Sequence, residues 1–224
     1  MDRTITALKV QKRNPDRVNV YLDGEFAFGV SRIVAAWLKV GMGLSDQKIQ
    51  SLQREDAEEV AFQSALNVLS YRPRSIYEVQ KKLKDNGFDE TVVHSVLERL
   101  KQNGLLEDQS FAQTWIENRT VFHPRSRKLM ALELRQKGVP DEVVQNALAS
   151  GAVDDESLAY QSAIQYVRRL KGLEWPEFRK KLSAYLLRRG FSFETVSPLV
   201  RQVWDELLQG AGEKTNSNGE DDEK

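Results

Sequence analysis

The sequence predicts a mainly α-helical protein: tandem three-helix repeats in an elongated, curved array, preceded by a small antiparallel β-hairpin or meander. Alternation of apolar and polar residues is confined to about residues 4–30, whereas from Asp46 onward apolar residues recur with the 3.6-residue period of helices. One helical pattern is also written three times along the chain. Three short amphipathic helices bury only a small core, so each unit is expected to be stabilised by its neighbours.

A β-hairpin is predicted at Asp23-Gly24. The runs 18–22 and 26–30 alternate apolar and polar residues on either side of this pair. Asp-Gly tolerates the positive φ angles of a type I′ turn, which matches the twist of antiparallel strands. Together with the β-prone run before it, the pattern predicts a three-stranded meander over about residues 4–30.

A short helix should follow the meander. Ser31 is placed to cap it, the helix should run through Leu38, and Gly41 and Gly43 should end it. Trp37 is expected to pack the small sheet against the first helical repeat. The simplest interpretation of this region is a purely structural one, in which the sheet covers one end of the helical array.

The repeated pattern is a leucine, three further residues, a glycine and then an apolar residue. It occurs at Leu83 with Gly87-Phe88, 51 residues later at Leu134 with Gly138-Val139, and 52 residues after that at Leu186 with Gly190-Phe191. The predicted domains are an N-terminal meander with a short helix (1–45), repeat 1 (46–105), repeat 2 (106–152), repeat 3 (153–209) and a disordered acidic tail (210–224).

Capping residues predict where the helices of repeat 1 begin and end. Ser75 and Glu78 form a capping box, in which each side chain accepts a hydrogen bond from the other residue's backbone amide. Gly87 supplies the left-handed conformation that ends this helix. Asp89 caps the next helix, which should end at Asn103-Gly104.

The composition excludes several classes of chemistry. The 224 residues contain no cysteine and only two histidines, and they show neither a phosphate-binding loop nor a nucleophile elbow nor an acidic cluster with metal spacing. We therefore expect no enzyme activity, no catalytic residue, no cofactor and no metal. No apolar run approaches the ~18 residues of a membrane helix and no signal peptide is recognisable, so we expect a cytoplasmic protein that does not contact membranes.

Positive charge recurs on the second helix of every repeat, although the net charge of the whole chain is zero. A repeated basic helix suits a polyanion or the acidic surface of a helical polymer. The alternative is that acids on the other helices, such as Glu55, Asp56, Glu58 and Glu59, simply neutralise these bases. The candidate contact residues are Arg72, Arg74, Lys81, Lys82, Lys84, Arg125, Arg127, Lys128, Arg135, Lys137, Arg179, Lys180, Lys181, Arg188 and Arg189.

Three tryptophans fall on or beside apolar positions of the predicted helices. Trp115, Trp175 and Trp204 are therefore expected in the core rather than as platforms for base stacking. His94 is expected to face solvent on the third helix of repeat 1, and His123 to have a structural or phosphate-contacting role in a loop.

One set of residues carries a resemblance to a known family. It comprises the run 65–75, then Glu78, Leu83 and Gly87, then the run 104–108 with Phe111, Ala112, Trp115 and Arg119, and then Ser126, Leu134, Gly138-Val139 and Ala147-Leu148. This set is similar to the RecX regulatory proteins of bacteria. The match is specific over about residues 60–150 and weaker in repeat 3, and the N-terminal strands resemble an extension that some members carry.

The resemblance implies an all-helical array that binds the RecA recombinase filament on single-stranded DNA. It further implies repression of strand exchange and of the filament's ATPase and coprotease activities, without catalytic residues. Such an array would lie in the filament groove and contact successive protomers, so that several weak contacts combine through effective concentration. Since a repeat protein with polar ends needs no partner copy, we expect a monomer.

Two other interpretations stay open at this point. Three-helix units also occur in homeodomain-like proteins, which bind DNA directly through the third helix. The third helix of repeat 1 offers a mixed face with Glu90, His94 and Glu98, which is not typical of sequence-specific readout. Weak contact with single- or double-stranded DNA, or a purely structural adaptor role, is also consistent with the sequence.

Overall fold

The computed structural model describes residues 2–150 and 154–216, with side chains described as far as residue 208 of the last helix. The described part contains four strands and ten helices, and it confirms the predicted mainly helical fold with a small N-terminal sheet. Internal contacts divide the chain into two compact units, Met1–Glu107 and Asp108–Lys224. Each unit is built around its own apolar side chains and is described separately.

The sheet consists of β1 (Arg3–Gln11), β2 (Asn14–Leu22), β3 (Glu25–Ser31) and β4 (Gly43–Leu44), in the order β3-β2-β1-β4. The predicted hairpin is confirmed, since Asp23 and Gly24 adopt φ angles of 53° and 94°. Strand β4 was not predicted, because a two-residue strand is too short to show alternation.

The helix after the meander, α1 (Arg32–Ala35), is shorter than predicted, and Ser31 makes no capping bond with its side chain. The prediction for Trp37 was wrong, because this side chain is 83% exposed. Its neighbour Leu38 is buried against the sheet instead. With α1 ending after one turn, the next inward position falls on Leu38.

The helix α2 (Asp46–Tyr71) contributes apolar residues to two separate clusters. Its first half packs Leu52 against the sheet, and its second half packs Phe62 and Ala65 into repeat 1. Asp56 lies between these halves and fastens the sheet to the helix. Its carboxylate accepts hydrogen bonds from the Ser31 amide at 2.5 Å and from Arg17 Nη2 at 2.8 Å.

Repeat 1 is completed by α3 (Ile76–Asp85) and α4 (Glu90–Gln102). The capping box of α3 is confirmed, with Ser75 Oγ 3.1 Å from the Glu78 amide nitrogen and the Glu78 carboxylate 3.3 Å from the Ser75 amide nitrogen. Gly87 ends α3 with a φ of 87°. Asp89 stands at the N-cap of α4, but its side chain makes no capping bond.

The second unit contains repeats 2 and 3 in six helices: α5 (Asp108–Phe122), α6 (Arg127–Gln136), α7 (Asp141–Ser150), α8 (Asp155–Val167), α9 (Trp175–Arg188) and α10 (Phe193–Asn216). One continuous cluster of buried apolar residues spans both repeats. The expectation for Trp115, Trp175 and Trp204 is confirmed, since all three pack against this cluster.

Repeats 2 and 3 meet where the end of α9 approaches the start of α6. The Ser126 amide donates a hydrogen bond to the Arg189 carbonyl oxygen at 3.0 Å. The neighbouring Gly190 lies so close that a Cβ atom there would be 2.5 Å from Ser126 Oγ and 2.8 Å from Leu129 Cβ.

The last helix, α10, continues to Asn216 and so includes the first residues of the segment predicted as a tail. Residues 217–224 of that segment lie outside the described residues. None of the helices in the described part combines the length and the apolar character needed to cross a bilayer.

Candidate partner interface

The structure sorts the predicted contact residues by what each of them already binds. The first group forms an ion pair that is repeated in two units. Lys84 Nζ lies 2.7 Å from Glu90 Oε1, and at the same position in repeat 2 Arg135 Nη2 lies 2.6 Å from Asp141 Oδ1. Each acid is the first residue of the third helix, where the helix dipole also favours a negative charge. The hydrogen bond from Lys84 and its charge lower the pKa of Glu90.

Two further predicted residues pair within their own helix region. Arg72 holds Glu78 with both of its terminal nitrogens, at 2.9 Å from Oε1 and 3.2 Å from Oε2. Because Glu78 is also part of the capping box, this arginine supports the start of α3. Lys181 Nζ lies 2.8 Å from Glu177 Oε1 one turn away on α9. Both side chains are therefore paired with an acid nearby in the sequence.

A cluster of arginines surrounds one carboxylate in the second unit. Arg119 Nε donates a hydrogen bond to Glu133 Oε2 at 2.9 Å, Trp115 Nε1 donates to the same oxygen at 3.0 Å, and Arg125 forms an ion pair with Oε1. Burial and then the charges of Arg119 and Arg189 lower the pKa of Arg125. Three guanidinium groups therefore lie near a single negative charge, and the cluster has an excess of positive charge.

Arg119 belongs to this cluster, although it is not one of the predicted contact residues. Those residues lie on or beside the second helices, whereas Arg119 lies on α5, the first helix of repeat 2. The available signal was its position one turn after Trp115, which places both side chains on one face. The Arg119 guanidinium carbon lies 4.2 Å from the centre of the Trp115 ring.

Three predicted residues hold parts of the second unit together. Arg127 Nη2 donates a hydrogen bond to the Leu148 carbonyl oxygen at 3.0 Å, and Arg189 Nη1 donates to the Pro124 carbonyl oxygen at 3.3 Å. Lys137 Nζ lies 4.5 Å from the centre of the Trp115 ring. These contacts satisfy backbone oxygens or cover an aromatic face, so the side chains are only partly available to a partner.

Six of the remaining predicted residues are exposed and have no ion pair within the described part of the chain. We call them the exposed cations: Lys81, Lys82, Lys128, Arg179, Lys180 and Arg188. Lys128 and Lys180 occupy the same position in repeats 2 and 3. Arg74 is half-buried, and its Nε has no hydrogen-bond partner among the residues that the structure describes. The exposed cations are the members of the predicted set that are best placed to contact another molecule.

The acids proposed to neutralise these bases are engaged elsewhere. Asp56 is bound to the sheet, and Glu59 Oε2 lies 2.9 Å from Arg99 Nη1 on α4. Glu55 and Glu58 lie near Lys48 and Arg54 on their own helix. Neutralisation of the second helices by these four acids is therefore not what the structure shows.

Comparison with known proteins finds one family for the sheet and for each of the three repeats. Family models described as the Regulatory protein RecX N-terminal domain and the first, second and third RecX three-helix domains match residues 3–45, 61–100, 108–148 and 154–200. The sheet thus has a family model of its own, separate from those of the repeats.

Relatives are similar along most of the chain. The Regulatory protein RecX of Bacillus subtilis (strain 168) is 33% identical over 205 residues, which is 89% of this chain and 76% of the relative. That of Prosthecochloris aestuarii is 39% identical over 148 residues, 66% of this chain and 93% of the relative. A solved structure described as the crystal structure of regulatory protein RecX has a TM-score of 0.66 at 26% identity, and the match covers 88% of this chain and 98% of that one.

Proposed function

This chain belongs to the RecX family of regulatory proteins, and on that premise we propose that it binds the RecA filament on single-stranded DNA and inhibits it. It lies in the filament groove, contacts successive protomers, and thereby lowers strand exchange, ATP hydrolysis and coprotease activity. It acts in the cytoplasm, as a monomer and without catalysis of its own.

The observation that carries this proposal is the presence of exposed cations in all three repeats. Lys81, Lys128 and Lys180 lie on the second helices α3, α6 and α9; serine side chains cap the first two, and a proline lies in the first turn of the third. A cation on a rigid helix loses less conformational entropy on binding than one on a loop. A polymer with a repeating acidic surface, or with DNA phosphates in its groove, offers each repeat a similar contact, so that weak contacts add up.

The test measures ATP hydrolysis by RecA on single-stranded DNA with and without this protein. The double variant Lys128→Glu and Lys180→Glu reverses the charge at equivalent positions that form no ion pair with any residue the structure describes. It should need on the order of tenfold more protein for the same inhibition, because two reversed charges at an interface cost about 1–2 kcal/mol. Lys12→Glu with Arg13→Glu is the matched control, since it changes the net charge equally on exposed residues of the turn between β1 and β2.

Two results would count against the proposal in different ways. If the folded wild-type protein leaves ATP hydrolysis unchanged at stoichiometric amounts, the proposed function is wrong. If wild type inhibits and the two double variants inhibit equally well, the protein acts on the filament through another surface. A steep dependence of binding to bare DNA on salt would instead favour the direct DNA-binding alternative.

A further inference from the structure

Repeat 3 lacks the ion pair that links the second and third helices of the other two repeats. The positions of Lys84 and Arg135 are occupied by Leu187, and those of Glu90 and Asp141 by Phe193. Both apolar side chains are exposed, Leu187 by 44% and Phe193 by 65%. In repeat 3 two neighbouring apolar side chains thus face water where the other repeats have a polar contact.

These two side chains border an open groove of about 770 Å³ between α9 and α10. Ser183 and Ala184 lie in it as small residues, with Trp175 and Val200 as further apolar surface. In repeat 2 the larger Leu132 occupies the position of Ala184, so the side chain at this position fills less of the groove in repeat 3. The repeat-3 groove is thus wide enough to accept a large apolar side chain.

The charges around the repeat-3 groove are all positive. Arg179, Lys180 and Arg201 line it, and the described residues that line it include no acid. Arg201 is partly neutralised by Asp205, whose Oδ2 accepts from Nε at 3.2 Å, whereas Arg179 and Lys180 belong to the exposed cations. An apolar groove with an unbalanced positive border is complementary to an apolar side chain carried by an acidic segment.

We propose that the repeat-3 groove binds an acidic peptide segment of a partner protein. The segment inserts a large apolar side chain between Leu187 and Phe193, and its carboxylates lie against Arg179 and Lys180. The chain's own C-terminal segment does not fit this description, since residues 209–224 contain acids but no large apolar residue. DNA phosphates would match the cations and leave the apolar surface uncovered. This inference does not depend on the identity of the filament proposed above.

The test uses a fluorescent peptide of Glu and Asp residues that carries two Leu residues one helical turn apart, with a control peptide in which both Leu are Ser. Anisotropy should show that the full-length protein binds the first peptide and binds the control at least tenfold more weakly. The double variant Leu187→Arg and Phe193→Asp introduces the ion pair of repeat 2 and should weaken binding of the first peptide at least tenfold. Ala184→Leu, which restores the leucine of repeat 2, should weaken it as well.

Leu132→Arg is the control variant, because Leu132 is an equally exposed leucine, at 47%, on the second helix of repeat 2. It should bind the peptide like wild type. Thermal unfolding checks that all variants are folded, and Ala184→Leu keeps the test valid if the double variant is not. The proposal is overturned if wild type does not bind the Leu peptide or binds both peptides equally, or if the folded groove variants bind normally. It is also overturned if the groove variants instead abolish binding of an oligonucleotide or self-association at high concentration.

Discussion

Gly190 combines two constraints, a positive φ and a close neighbour, which other described glycines such as Gly172 and Gly29 meet singly. Its φ of 86° lies in the left-handed region, and a Cβ atom there would overlap Ser126 and Leu129 of the preceding repeat. Gly172, in the same unit, has a φ of 78° with no atom within 4 Å of an added Cβ. These two glycines therefore separate the cost of a strained backbone from the cost of a steric overlap.

We expect Gly172→Ala to lower the free energy of unfolding by about 1 kcal/mol, the cost of a left-handed non-glycine residue. Gly190→Ala should lower it by about 3 kcal/mol, because overpacking adds about 1–3 kcal/mol. Urea unfolding followed by tryptophan fluorescence measures both, since Trp115, Trp175 and Trp204 all report on the second unit. Equal losses in the two variants would show that the repeats relax apart at Gly190 without cost.

At the scale of residues, the sequence predicted least well which cations are bound in internal ion pairs and which are available to a partner. The pattern predicts exposed helix positions for both Lys128 and Arg135, yet Lys128 has no ion-pair partner among the described residues and Arg135 is bound to Asp141. The difference depends on how the second helix crosses the third, and a one-dimensional pattern does not contain that angle. The groove in repeat 3 was missed for the same reason, because it needs Leu187 and Phe193 to be compared across helices.

At the scale of elements, α2 is joined to the sheet and to α4 through residues about one turn apart. Asp56 fastens the sheet, and Glu59 fastens α4 through Arg99. Arg99 also covers the Phe62 ring, with its guanidinium carbon 3.7 Å from the ring centre. Burial alone would raise the pKa of Glu59, but hydrogen bonds from Gln63 and Arg99 and the Arg99 charge lower it overall.

The lowered pKa predicts how stability depends on pH. The contribution of Glu59 should be fully present above the ordinary carboxyl pKa of 4.5 and should be lost as the pH falls through the lowered value. Glu59→Gln should therefore be less stable than wild type by about 1 kcal/mol at pH 7, with Arg99 partly exposed and screened by solvent. Unfolding curves from pH 7 to pH 3 should converge, and a constant difference over that range would contradict the assignment.

The boundaries of elements were predicted well where a side chain sets them locally. Ser75 with Glu78 and Gly87 marked both ends of α3, because capping depends on neighbours in sequence. The packing of α2 against both the sheet and repeat 1 was not predicted. Its apolar residues follow the same helical period whether they face a sheet or other helices. The extra first turn of α9, from Trp175 on, was also missed, because repeat 2 has no helix at that position.

At the scale of the whole molecule, the two units differ in how their cores are divided. In the first unit the sheet and repeat 1 have separate apolar clusters, while repeats 2 and 3 share one. Leu83 and Leu134 are equivalent and fully buried residues, one in each kind of core. The same substitution at these two positions should therefore destabilise different numbers of helices.

We expect Leu83→Ala and Leu134→Ala each to cost about 2–5 kcal/mol. Leu134→Ala should lower the protection of backbone amides from hydrogen exchange in α9 as well as α6, because the shared cluster couples them. Leu83→Ala should have its main effect within α2, α3 and α4. Mass spectrometry of peptic fragments resolves these helices, and a loss of protection confined to α5, α6 and α7 in Leu134→Ala would show that the repeats are independent.

The shared cluster also determines when the second unit can fold during synthesis. Val196, Val200 and Val203 of α10 belong to the same core as Phe111 of α5. The ribosome makes α10 after the other helices of that core, so the nascent chain exposes part of it until α10 has been made. The first unit needs nothing beyond Leu106 for its own clusters and can fold much earlier. A premature stop before α10 would consequently release a protein in which the first unit is folded. Its second unit would expose apolar surface and would be open to proteolysis.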